Sequence, residues 1–104
     1  MFKPTEKSIY KLACEVNHEI FNDLISIETL TFRVKNSHKW AMGFYCDFEI
    51  TVHKNWHKTR KDYKKTLAHE LTHYYQDMFW LDLDHGKQGF FRFFQAKIFD
   101  LYGE

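Results

Sequence analysis

Residues 66–76 read TLAHELTHYYQ, and two patterns meet in them. Leu67, Leu71, Tyr74 and Tyr75, continued by Met78, recur at helical spacing and mark the apolar face of a helix. His69 and His73 are four apart, so they stand about 40° from each other on another face, one turn above the other. That spacing lets two imidazoles share one metal ion. Glu70 is rotated about 100° from His69, beside the ion and not on it, where a general base belongs. A pair of surface histidines on an amphipathic helix is the competing reading. The frame, the two faces and a histidine downstream all speak against it.

Outward from this segment, Asp62 is placed to cap the helix, which runs to Trp80. Before it, every even position from Trp40 to Val52 is apolar (Trp40, Met42, Phe44, Cys46, Phe48, Ile50, Val52). A period of two means extended chain with one buried face. The run is long for one strand, so Asp47 marks a turn or bulge between two. Cys46, on the apolar register, is expected in the core. Residues 27–35 alternate through Leu30, Phe32 and Val34 and read as another strand, followed by a turn at 36–39. Residues 6–24 carry Ile9, Leu12, Ala13, Val16, Ile20 and Phe21 at helical spacing. A last helix over 88–102 is expected to bury Phe90 or Phe91, Phe94, Ile98 and Leu101. Helix, strands, helix, helix is an α+β arrangement with a small antiparallel or mixed sheet.

A chain of 104 residues is one domain, residues 1–104, with a single core. Aromatic residues make up 19% of it, eleven of them Phe, so rings fill that core. No apolar run approaches the ~20 residues that span a bilayer, and the first residues lack the apolar stretch of a secretory signal. Cys14 and Cys46 form no C-x-x-C frame and read as reduced thiols. The expectation is a cytoplasmic monomer with no membrane contact. The formal charge is +1, but six basic residues and one acid fall between Lys54 and Lys65. This positive segment, read as a loop entering the helix, sits on an otherwise mildly acidic body.

Zinc requires a third protein ligand and an open position for water. A metzincin would place glycine at 76 and histidine at 79; Gln76 and Phe79 exclude that class. The next histidine is His85, in LDLDHGKQGFF, where Gly86 permits a close backbone approach. Asp82 and Asp84 are oxygen alternatives, and Asp84 could instead orient a ligand histidine. His53 and His57, four apart around Trp56, read as solvent-facing or as a substrate rim. His18 and His38 read as surface residues.

H-E-x-x-H followed by His-Gly resembles the SprT-like zinc metallopeptidases. EVNHEIFNDL is similar to that family's first helix, WAMGFYCDFEITVHKNW to its glycine-containing hairpin, TLAHELTHYYQ to its active-site helix and DHGKQGF to its His-Gly element. Gly89 stands where the family has an aromatic residue, with Phe90 one place later. The resemblance implies a zincin-like fold: a small sheet packed against an active-site helix carrying HExxH, with flanking N- and C-terminal helices. It implies one zinc ion held by His69, His73 and His85, with Glu70 as base. No counterpart of the zinc ribbon of some relatives is present, so a bare catalytic core is expected.

The activity implied is metal-assisted hydrolysis of peptide bonds in protein substrates. Glu70 takes a proton from water and passes it to the leaving amine. Tyr45, His53, His57 and Tyr75 are candidates for steadying the oxyanion. Family relatives act on DNA-bound proteins, which makes weak nucleic-acid contact through Lys54–Lys65 a further expectation. Two other classes compete. A non-catalytic zinc-binding domain mediating protein or DNA interaction gives Glu70 no reason for its position. A DNA-binding module lacks a recognised motif.

Overall fold

The computed structural model describes residues 2–36, 42–78 and 90–103. The first helix, α1, spans Glu6–Phe21. Thr5 caps it, with Thr5 and Ser8 exchanging side-chain to backbone bonds in a capping box. All six apolar positions read from the sequence are buried. The helix stops short of residue 24 because Asn22 turns left-handed at φ 52°. Buried Asn17 then holds the departing chain, donating from Nδ2 to the Ile25 carbonyl (2.8 Å) and accepting the Ile25 N–H at Oδ1 (3.1 Å).

The expected strand over 27–35 begins late. Residues 27–29 form a 3-10 turn, and β1 is Thr31–Lys35. The apolar run 40–52 becomes β2 (Gly43–Cys46) and β3 (Glu49–His53), joined by a two-residue turn at Asp47 and Phe48. Both turn residues have positive φ (47° and 64°), the geometry that matches the twist of hairpin strands. The turn at Asp47 is as the sequence indicates, but the single buried face is not. The hairpin pairs Tyr45 with Ile50 and Gly43 with Val52. Odd positions of β2 therefore share a face with even positions of β3. Met42, Phe44 and Cys46 point outward and are exposed, while Ile50 and Val52 are fully buried. The core assignment of Cys46 is thus corrected.

The sheet order is β1-β3-β2. β3 is central, parallel to β1 and antiparallel to β2, so the sheet is mixed.

The second long helix, α2, spans Arg60–Met78. It begins before Asp62, and Thr59 is its cap. Asp62 accepts the Lys58 and Thr59 N–H groups (2.9 and 3.0 Å), and its own N–H reaches Thr59 Oγ1 (3.2 Å). Asp62 is therefore the third-residue partner of a capping box. Its carboxyl is held below the usual range by those two backbone bonds. The basic segment is correspondingly not one loop: residues 54–56 form a 3-10 turn and Arg60–Lys65 already lie in α2.

α1 and α2 pack together against the inner face of the sheet, and α3, Phe90–Tyr102, packs on α2. Leu67, Leu71 and Tyr74 of α2 are buried as expected, but Met78 is exposed. In α3, Ile98 and Tyr102 enter the core, whereas Leu101 is exposed. The side chains of Phe90, Phe91 and Phe94 lie outside those described. No helix of the described residues is long and apolar enough to cross a membrane. The architecture is α+β, with three α-helices and a three-stranded sheet among the described residues.

Candidate metal centre

His69 and His73 sit on consecutive turns of α2 with ring centroids 4.9 Å apart and planes at 80°. Both are half-buried. The His73 Nδ1–H donates to the Gln76 amide oxygen at 3.0 Å. With that proton on Nδ1, Nε2 carries the lone pair a metal needs. Gln76 is itself 1% exposed, so its amide is a fixed orienting group. In the sequence Gln76 stands out only as a departure from the metzincin pattern. Its signal was the i, i+3 spacing from His73.

Glu70 is 7% exposed and faces the same cleft as His69. Burial alone pushes its carboxyl up from 4.5 to about 7. A group near neutrality both accepts and returns a proton at working pH, as a general base in hydrolysis must.

The cleft has a volume of about 350 Å3. Lys65, Thr66, His69 and Glu70 form its α2 wall. Met42 and Gly43 come from the β2 side, and Gln95 and Ile98 from α3. Gly43 is what lets the strand lie this close to the helix. A Cβ there would stand 2.6 Å from Thr66 Cγ2, 3.2 Å from the Thr51 carbonyl oxygen and 3.4 Å from Glu70 Cγ. A larger and more open hollow of about 620 Å3 lies over Lys64 and Tyr102, with His18 but neither His69 nor His73 among its described lining residues.

His53 and His57 are neither solvent-facing nor a rim: they are 5% and 8% exposed. The His57 Nδ1–H donates to the His53 carbonyl (2.8 Å), and its Nε2 accepts from the Thr66 hydroxyl (2.6 Å). The ring stacks on Tyr63 at 4.4 Å and 16°. Desolvation holds His57 below its ordinary 6.5, keeping it neutral for both bonds. The imidazole thus ties the end of β3 to the helix one turn before His69.

Of the oxyanion candidates, none lines the cleft among its described residues. Tyr45 donates to Asp77 at 2.6 Å, Tyr75 stacks on Phe21, and His57 is committed as above. His18 is a surface residue, 2.9 Å from Asp23. His38 lies outside the described residues.

Two donors of the expected zinc set are therefore brought together, and Glu70, the expected base, shares the cleft with His69. Among the described residues no group of three His, Cys, Asp or Glu side chains is assembled for a metal. His85, with Asp82 and Asp84, lies outside the described residues. The donor pair fits zinc in type: two imidazoles on adjacent turns, one with its tautomer set by an amide.

No family, characterised protein or solved structure matches this chain in comparison.

Proposed function

We propose that this protein is a zincin-like, zinc-dependent metallopeptidase that hydrolyses peptide bonds in protein substrates. One observation carries the reading: two imidazoles stand nearly perpendicular on adjacent helical turns, and a buried carboxyl of raised affinity for protons shares a cleft with the first of them, His69. His69 and His73 hold the ion, with His85 as third ligand. A bound zinc ion supplies Lewis acidity to the carbonyl under attack and to water. Glu70 takes the proton from that water and delivers it to the leaving amine nitrogen. Gln76 holds the His73 ring in its ligating orientation. Among the described strands β2 is at the sheet edge and its first residue, Gly43, lines the cleft, so an extended substrate segment can add there as a further strand.

The test is zinc analysis of the purified protein beside a protein-cleavage assay of wild type and Glu70→Gln. The expected result is about one zinc per chain in both and cleavage by wild type alone. Cleavage by Glu70→Gln at the wild-type rate would remove the base from the mechanism.

Nucleic-acid contact through Lys54–Lys65 is a narrower proposal. Arg60 bonds Glu15, and Lys64 Nζ lies 2.7 Å from Glu19 and 3.5 Å from Glu15. Besides the paired Arg60, Lys54, Lys58 and Lys61 are its exposed cations.

A further inference from the structure

The basic run at the head of α2 divides by rotation. Arg60 and Lys64 face α1, where Glu15 and Glu19 neutralise them, and the Lys64 ammonium also lies 5.0 Å from the Tyr102 ring centre. Lys65 is the next residue, turned about 100° from Lys64. It lines the cleft one turn before His69. Among the described residues its ammonium forms no salt bridge and no hydrogen bond.

We propose that Lys65 makes this cleft selective for peptides that present a carboxylate beside the bond to be cut. The inference rests on the peptidase reading and names its substrate class. The other described walls offer no rival charge for that group: Gly43 has no side chain, Met42 and Ile98 are apolar, and Gln95 is a neutral amide. Glu70 is the one acid among the described lining residues, and it stands outside ion-pairing distance of Lys65. Lys65 is half-buried, and an ammonium partly withdrawn from water attracts an anion more strongly than one in open water. It repels a lysine or arginine side chain for the same reason. The carboxylate would accept a charge-assisted bond from Nζ at about 2.8 Å. Its source is either an Asp or Glu side chain or the free end of a peptide chain.

Three peptide sets separate these sources: glutamate scanned through each position with an amidated end, alanine with a free carboxyl end, and lysine scanned with an amidated end. Binding is read by fluorescence anisotropy on zinc-loaded Glu70→Gln, and cleavage as relative kcat/KM on wild type. We expect a carboxylate-bearing set to bind about tenfold tighter than the lysine set, as one charged hydrogen bond allows. Tighter binding by the first set assigns the carboxylate to a side chain, and by the second to a chain end. Lys65→Ala in the same background should erase the difference and Lys65→Glu should reverse it, with zinc content and Tm confirming a folded protein. Equal binding by all sets, or a preference that survives Lys65→Ala, overturns the selection by Lys65. Cleavage without preference overturns the selection alone, while absence of binding and cleavage in every set overturns it together with the peptidase reading.

Discussion

Replacing Glu70 by Gln tests the energetic state of the site without any substrate. The carboxyl is raised from 4.5 to about 7 by burial. Its folded-state value lies above the unfolded one, so the folded state favours the neutral acid. The stability it permits is complete below pH 4.5 and is lost as pH rises through about 7. At 1.36 kcal/mol per pH unit between the two values, the cost of ionising the buried group approaches about 3 kcal/mol at pH 8. Gln reproduces the shape of the neutral acid and does not titrate. In chelator-treated protein, Glu70→Gln should therefore melt close to wild type at pH 4.5. At pH 8 it should melt higher by on the order of 10 °C, given ~4 °C or more per kcal/mol for a domain this size. Zinc at saturation should narrow the gap, because a cation beside Glu70 favours the charged carboxylate. Thermal melts of both proteins at half-unit steps from pH 4.5 to 8 make the measurement. A gap that stays constant over that range would refute the reasoning, since the carboxylate would then be as well solvated folded as unfolded.

Three further outcomes are expected. His69→Ala, His73→Ala and His85→Ala should each lower zinc content by mass spectrometry while Asp82→Ala should not, and full occupancy in His85→Ala would point to Asp84. Gly43→Ala should cost about 1–3 kcal/mol by denaturant unfolding, because the added methyl meets the β-branched Thr66 at 2.6 Å; a loss under ~0.5 kcal/mol would mean that Thr66 yields freely. His57, held below 6.5 by desolvation, contributes stability that is present above pH 6.5 and is lost as pH falls through its folded value. Its imidazole resonances in NMR should accordingly show a midpoint below 6.5, and a midpoint at or above that value would contradict its buried, doubly bonded state.

Helices were legible wherever one residue type recurred at a fixed local period. The six apolar positions of α1 are all buried, because an amphipathic period of 3.6 leaves only one way to face a core. The same rule put His69 and His73 one turn apart on α2, where their ring centroids lie 4.9 Å apart. It failed between Trp40 and Val52, where a two-residue turn at 47–48 reverses which parity faces inward. Alternation shows that a strand has two faces; the turn decides which face of each strand meets the helices. Asp62 was legible as a capping residue but not its partner Thr59, since either end of a capping box looks like a start.

The sequence by itself determined the helical frame that sets two imidazoles and a carboxylate within one turn, because those positions depend only on residues four apart. Tertiary structure decided everything that acts between elements. It buried His57 and joined it to Thr66 across nine residues, and paired Lys64 with Glu15 and Glu19 on another helix. It also turned Lys65 and Gln95 toward the cleft and made Gly43 the point where strand and helix touch. Such choices rest on packing distance and on which charges meet after folding. Neither quantity is carried by a local period.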